Sequence, residues 1–332
     1  MTASHFTSHA LQTAVVIPCF KVRKHILGVI ADIGMDVSRI YVVDDCCPEE
    51  SGRAVQEHCA DQRVRVIFNA VNLGVGGAVM AGYRAALAEG MDIVVKVDGD
   101  GQMNPALIPA FTAPIKSGEA DYTKGNRFFN LEEIRRMPGM RIFGNATLSL
   151  LNKLSSGYWD LFDPTNGYTA IHCDVIRNLP MGKISSRYFF ETDMLFRLGT
   201  LRAVVADIPM SACYGDEVSN LKISSIIGEF MGKHLRNMFK RLFYNYYLRD
   251  MSLASFELPI GLLLLTFGSL FGAWHWILSV QTGIANSPGT VMVSALPILV
   301  GIQLILAFIG YDIHAVPRRP IHLQNKYLVR EH

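Results

Sequence analysis

The stretch I-V-V-K-V-D-G-D-G-Q, residues 93–102, joins a short β-branched run to an acidic turn punctuated by glycine. A run of that length and composition reads as a strand buried on both faces of a parallel sheet. Three runs of the same kind precede it: Ala14 to Cys19, Ile40 to Val43 and Val64 to Phe68. Helical patterns separate them, at Lys24 to Ile33, Glu49 to Ala60 and Gly76 to Ala88. Strand and helix alternating in this way predict an α/β fold with a doubly wound sheet.

Ligands of such sheets bind beyond the carboxyl ends of the strands, so the residues after each run carry the information. The first run leads into Pro18, Cys19 and Phe20, the second into Asp44 and Asp45, the fourth into Asp98, Gly99, Asp100, Gly101 and Gln102. Four carboxylates are thereby expected at one sheet edge without basic partners. Such a cluster is self-repelling, and a divalent cation shared with a phosphate ligand resolves it. Asp98, Asp100 and Gln102 offer hard oxygen ligands suited to Mg2+ or Mn2+. Gly99 and Gly101 allow a sharp turn and close approach of a ligand to the backbone. A calcium loop of the EF-hand type is excluded, because its twelfth position lacks Glu. Residues 72–77, N-L-G-V-G-G, read as the glycine-rich opening of a helix.

Outside this region the chain changes character. Half of its 332 residues are hydrophobic and 18% are charged, which excludes a disordered chain and makes a fully soluble one doubtful. The net charge of +2 gives no argument for nucleic acid. Residues 258–311 contain no Asp, Glu, Lys or Arg. Within them Leu258 to Val280 and Thr290 to Tyr311 are each long enough, at about 33 Å as helices, to cross a hydrocarbon core of about 30 Å. Trp274, His275 and Trp276 suit an interfacial belt. Basic residues lie before the first span (Lys222, Lys233, Arg236, Lys240, Arg241, Arg249) and after the second (Arg318, Arg319, Lys326, Arg330), whereas the connecting loop has none. The positive-inside rule then puts both termini and the large N-terminal domain in the cytoplasm, at an inner or plasma membrane. Ser225 to Leu248 carries apolar residues at spacings of three and four with basic residues opposite, as expected of a helix lying in the headgroup plane. No secretory signal is read at the N-terminus. The six cysteines form no C-x-x-C pair, fall on the reducing side of that topology, and Cys46-Cys47 reads as part of a turn.

V-V-I-P-C-F at 15–20, V-V-D-D at 42–45, N-L-G-V-G-G at 72–77 and V-K-V-D-G-D-G-Q at 95–102 occur in the order of the signatures of family 2 inverting glycosyltransferases. The chain resembles most the branch of dolichol-phosphate mannose synthase-like, polyprenyl-phosphate glycosyltransferases, over residues 14 to about 222. The resemblance implies a GT-A fold, a nucleotide-diphosphate sugar donor, a polyprenyl phosphate acceptor, contact with membrane lipid and a homo-oligomer. It implies that Pro18, Phe20, Asp44 and Asp45 hold the nucleotide, and that Asp98, Gly99, Asp100 and Gln102 hold diphosphate and metal. Arg127 of K-G-N-R matches an arginine that contacts the sugar nucleotide. D-P-T-N-G-Y at 163–168 matches a segment closing the acceptor side, and E-T-D at 191–193 an acidic motif that supplies a base to hydroxyl acceptors. Two departures stand out. Phe20-Lys21 replaces the usual Tyr-Asn, and C-Y-G-D-E-V-S-N-L-K at 213–222 lacks the expected Arg and displaces its Lys to Lys222. Arg187 is available to compensate.

The domain plan so expected is a GT-A domain at 1–220, an amphipathic juxtamembrane helix at 221–252, a transmembrane hairpin at 253–315 and a basic cytoplasmic tail at 316–332. A hydroxyl acceptor requires a general base, for which Asp193, Glu191 and Asp163 are the candidates. A lipid phosphate is already anionic and needs cationic positioning groups near the bilayer. The basic, amphipathic 222–249 region favours the phosphate. A same-fold transferase acting on a lipid-linked glycan hydroxyl and a non-catalytic nucleotide-binding membrane scaffold are the alternatives. The intact D-G-D-G-Q turn argues against the scaffold.

Overall fold

A computed structural model describes residues 11–129, 135, 139–211 and 223–328. The chain divides into two compact units, one formed by residues up to Asn237 with those from Pro317 onward, the other by Met238–Val316. The strands of the first unit are β1 (Thr13–Cys19), β2 (Arg39–Asp44), β3 (Val64–Phe68), β4 (Ile93–Lys96), β5 (Tyr122–Asn126), β6 (Thr169–His172) and β7 (Val205–Pro209). Its helices are α1 (Ile26–Ala31), α2 (Ser51–His58), α3 (Gly74–Ala88), α4 (Ile108–Lys116), α5 (Gly139–Ser156), α6 (Cys173–Asn178) and α7 (Phe190–Leu201). Then follow α8 (Ile223–Phe243), α9 (Ala254–Thr282), α10 (Pro288–His314) and α11 (Ile321–Leu328).

The sheet order is β3-β2-β1-β4-β6-β5-β7. The four strands expected from the sequence form its parallel half, in the register Val15–Ile40, Val42–Val66 and Val15–Val95. β6 runs antiparallel to β4 and β5, and β7 parallel to β5. Apolar side chains between the sheet and its helices make the core, with Val15, Ile17, Ile26, Val42, Val95 and Phe111 fully buried. Phe111 stacks on Tyr168, ring centroids 4.0 Å apart. The expected helix at 76–88 begins two residues earlier, because the Asp45 carboxylate from the end of β2 accepts the Leu73 and Gly74 N–H groups (2.9 and 2.7 Å) and satisfies donors that a helix start leaves open.

The segment expected as a basic tail contributes α11 to the first unit. The buried Asp121 carboxylate accepts the Ile321 and His322 N–H groups (2.9 and 3.0 Å) and meets His322 Nδ1 at 2.7 Å. The first unit also holds the start of α8, where His234 is buried and shares a 2.9 Å hydrogen bond with Ser155 of α5. Burial pushes the His234 imidazole down from its ordinary 6.5 to about 4. The unfolded chain therefore binds a proton between pH 6.5 and 4 that the folded chain refuses, so stability falls as pH is lowered through that window. The expected loss is about 3 kcal/mol at the acid end. Thermal melts from pH 7 to 4 check it: His234→Gln should flatten the decline relative to the parent chain.

In the second unit α9 and α10 pack side by side, and almost all their outward side chains are apolar and exposed, including Trp274 and Trp276. Both are long and apolar enough to cross a membrane. They extend the expected spans by two to four residues at either end. Small residues set their separation: a Cβ on Gly261 would lie 3.0 Å from the Gly301 carbonyl oxygen, and one on Gly268 would lie 2.7 Å from that of Ser294. At one end Asp312 receives Arg241 bidentately (2.6 and 3.0 Å) and the Tyr246 hydroxyl (2.5 Å), all buried. The amphipathic helix expected over 225–248 ends as α-helix at Phe243, and residues 244–249 continue as a π-helical turn.

Candidate active site

The ends of β1, β2 and β4 open into a cleft of about 650 Å3 lined by Pro18, Phe20, Asp45, Cys46, Asn72, Asp98, Gly99, Asp100, Arg187 and Tyr188, among others. Its first wall follows from two sharp backbone reversals. Lys21 and Cys46, just past β1 and β2, both adopt positive φ (59° and 55°), a strain that tends to gather at functional sites. The Phe20 ring is 44% exposed, and the Lys21 ammonium stands 5.6 Å from its centroid. This is a flat apolar surface of the kind that stacks on a planar base.

The two acidic residues at the end of β2 serve the frame. Asp44 is buried and accepts the Cys47 and Gly52 N–H groups at 2.7 and 2.6 Å. Asp45 holds the start of α3, takes a 2.8 Å hydrogen bond from Asn69 and still borders the cleft. Both thus spend carboxylate oxygens on backbone amides of the segments that follow.

The expectation of carboxylates without basic partners is corrected after β4. Lys96 is 1% exposed, and its ammonium lies 2.8 Å from Asp98 and 3.4 Å from Glu191, and donates to the Gly167 carbonyl at 3.0 Å. Burial alone would push the Lys96 ammonium towards neutrality, but the charges of Asp98 and Glu191 outweigh it and raise its pKa. Burial raises the Glu191 carboxyl despite Lys96. The sequence does hold a signal for Lys96, a single charge inside an otherwise apolar buried run. The same contact accounts for Gly167 in D-P-T-N-G-Y: a Cβ there would sit 2.5 Å from the Lys96 nitrogen and 2.7 Å from Asp98 Oδ2. Asp100 accepts the Gln102 backbone N–H at 2.9 Å, which closes the D-G-D-G-Q turn, and Gly101 takes φ +79° within it.

Asp98 and Asp100 both line the cleft. Among the described residues no group of three His, Cys, Asp or Glu could hold a metal ion. One or two carboxylates with the remaining positions left to phosphate oxygens and water is the donor set Mg2+ takes in nucleotide sites, so the residues present fit such an ion.

Four other candidates are not among the described residues that line this cleft. Arg127 is clamped by Asp163, with Nε and Nη2 each 2.7 Å from a carboxylate oxygen. Burial works to raise the Asp163 carboxyl, but the guanidinium, aided by Lys124, holds it below the ordinary range. Asp163 itself has φ +50°. Asp193 is buried in the first turn of α7, accepts the Ser185 N–H at 2.8 Å and the Asn237 side chain at 3.1 Å, and does not border the cleft. Lys222 lies outside the described residues.

Opposite Pro18 and Phe20, the 185–188 segment packs against the glycine-rich start of α3. The Gly76 N–H donates to the Ser186 carbonyl at 2.9 Å, and a Cβ on Gly76 would come within 2.6 Å of both the Ser185 carbonyl oxygen and the Phe190 ring. Gly76→Ala is expected to cost about 1–3 kcal/mol by forcing these elements apart. Denaturant unfolding checks it, with Gly90→Ala, where a Cβ meets nothing within 4 Å but φ is +72°, as the strain-only control.

Residues 14–179, half of the chain, match the family model described as glycosyl transferase family 2. The undecaprenyl-phosphate mannosyltransferase of Micrococcus luteus is 29% identical over 194 residues, covering 58% of this chain and 79% of that protein. The UDP-N-acetylglucosamine--dolichyl-phosphate N-acetylglucosaminyltransferase of Methanococcus voltae is 26% identical over 213 residues, 60% of this chain and 84% of that one. Glucosyl-3-phosphoglycerate synthase from Mycobacterium tuberculosis, solved with Mn2+, UDP-glucose and phosphoglyceric acid, shares the fold at a TM-score of 0.52 and 19% identity over 70% of this chain and 80% of that one. With its seven-stranded GT-A sheet and its family signatures in order, the chain belongs to glycosyl transferase family 2 and is a glycosyltransferase.

Proposed function

We propose that the protein transfers a sugar, with inversion at the anomeric carbon, from a nucleotide-diphosphate sugar to a polyprenyl phosphate at the cytoplasmic face of a membrane. The observation that carries this reading is the cleft itself: an exposed aromatic ring, two carboxylates after a central strand and an arginine facing one another across about 650 Å3. The names of the relatives supply the lipid-phosphate class, and the two apolar helices suit it. In this reading Pro18, Phe20 and Asp45 receive the nucleoside. Asp98 and Asp100 hold Mg2+ or Mn2+ against the diphosphate, and Arg187 faces it from the other wall. The bound ion supplies Lewis-acid stabilisation of the leaving diphosphate.

The chain's own groups do the rest. Arg127, held rigidly by Asp163, is a preorganised cation for charge that develops during transfer. Asp163 serves as its orienting partner. The acidic groups considered as bases are already committed: Asp163 to Arg127, Asp193 to Ser185 and Asn237, Glu191 to Lys96. A phosphate acceptor is anionic near neutral pH and needs no strong base, so this commitment favours it over a hydroxyl. The basic residues flanking the apolar hairpin support a reading with both termini on the cytoplasmic side.

The test is transfer by purified full-length protein, with polyprenyl phosphate, a panel of radiolabelled nucleotide sugars, and Mn2+, Mg2+ or chelator. Metal-dependent label in an acid-labile lipid monophosphate sugar is the expected result. Transfer only to a glycan hydroxyl, or transfer undiminished by chelator, overturns the corresponding part of the reading.

A further inference from the structure

Arg187 and Tyr188 reach the cleft from an irregular segment, 185–189, which α8 holds at both ends. At the first end the Ser185 N–H donates to Asp193 Oδ2 (2.8 Å), and Asp193 Oδ1 accepts the Asn237 side-chain amide (3.1 Å). Arg197 stands 3.7 Å from the same carboxylate. At the second end the buried Phe189 ring meets Phe230 and His234 edge-on (centroids 5.2 and 5.1 Å), with the Lys233 ammonium 5.3 Å from its centroid. Phe230, Lys233, His234 and Asn237 follow the spacing i, i+3, i+4, i+7 and so form a single stripe of α8. In front, the segment bears on the α3 glycines, where no side chain fits. It is thus fixed from three directions, and its only outward side chains at the cleft are Arg187 and Tyr188.

We infer that Asn237 is a positioning residue for donor binding: through Asp193 it fixes the segment that presents Arg187 and Tyr188 to a nucleoside diphosphate. Asn237 touches neither the cleft nor the reacting atoms. Its amide instead occupies Asp193 Oδ1 inside the protein. Losing that amide leaves a buried carboxylate oxygen unsatisfied, and a group in that state seeks another partner or water. The carboxylate then turns away from Ser185, and the segment loses its first anchor while Phe189 keeps the second. Affinity for the diphosphate falls while the chemistry, run at saturating donor, is preserved. The inference rests on the cleft being the donor site.

The experiment uses the full chain in detergent, as the parent protein and as Asn237→Ala and Arg187→Ala. Three quantities are measured: binding of UDP and of GDP with Mn2+, KM and kcat for the donor, and hydrogen exchange of the 185–190 amides with the β1–β4 amides as reference. For Asn237→Ala the expected result is about tenfold weaker binding of whichever nucleotide the parent protein binds, and a matching rise in donor KM with kcat within twofold. The Ser185 amide is expected to exchange about tenfold faster with the sheet amides unchanged. A merely structural role would lower kcat through loss of active protein and leave KM alone. Arg187→Ala separates the two ideas. If it binds nucleotide as the parent does, the donor-site reading fails. If it weakens binding while Asn237→Ala leaves affinity, KM and Ser185 exchange unchanged, the positioning role is overturned and the donor site stands.

Discussion

Asp100→Asn is expected to lower sugar transfer by about a hundred- to a thousandfold while the protein keeps its fold. The amide has nearly the volume of the carboxylate, and its oxygen still accepts the Gln102 N–H that closes the turn. What is lost is one negative charge at the end of β4, beside a cleft where a diphosphate and a divalent cation would meet. Asp98 does not replace it, because Asp98 is already drawn to Lys96 at 2.8 Å. Within the acidic turn, Asp100 borders the cleft, whereas Asp98 is paired with the buried Lys96. Transfer rates at saturating donor and a titration of Mn2+ give the check. The loss should appear with both metals, and raising Mn2+ should recover only part of it. Transfer by Asp100→Asn at the parent rate would remove Asp100 from the metal site.

The parallel half of the sheet was legible because strands buried on both faces must be apolar throughout. β1 and β2 carry that demand in a few β-branched residues each, and β4 admits only Lys96; β3, expected to be buried as well, is the edge strand, with Arg65 and Phe68 exposed. β5 to β7 were not legible for the converse reason. Lys124 and Asn126 are buried in β5, and the group that allows it, Asp207 of β7, lies 83 and 81 residues away (2.7 and 2.9 Å). A buried polar residue reads as a loop until its partner is known. The acidic edge shows the same limit. Asp44, Asp45, Asp98 and Asp100 were all expected at strand ends and all lie there, but position does not tell a ligand from a brace. Asp44 and Asp45 spend their oxygens on backbone amides of the following segments. Lys96 and Glu191 pair across 95 residues, a separation no local pattern encodes. The apolar hairpin was the easiest part to read, since a bilayer-length helix announces itself by composition alone.

The cost of that hidden pairing should be large. Lys96→Met keeps the length and apolar stem of the side chain and deletes only the ammonium. Asp98 and Glu191 then face each other near the Gly167 carbonyl with no cation between them. Removing one partner of a buried ion pair typically costs about 3–5 kcal/mol, because the charge left behind is uncompensated. The remaining carboxylates relieve this by taking up a proton, and Glu191, which burial already raises, is the group to take it. Lys96→Met should consequently be more stable at pH 5 than at pH 8 relative to the parent chain. The folded variant binds a proton there that its unfolded form releases, so its stability falls as pH rises through the raised pKa. A second substitution decides whether charge or packing is at work. In Lys96→Met/Glu191→Gln the second uncompensated charge is gone, and most of the lost stability should return, with a coupling of about 1–3 kcal/mol in the double-mutant cycle. Activity should not return with it. Without the ammonium, Asp98 has no fixed orientation beside Asp100, and transfer by the double variant should stay about tenfold or more below the parent. Urea unfolding at the two pH values and the lipid-transfer assay give both readings. Equal stability of Lys96→Met and the parent at pH 8 would mean that the lysine neutralises nothing the fold depends on. Recovery of full activity in the double variant would mean that its only task is to neutralise Glu191.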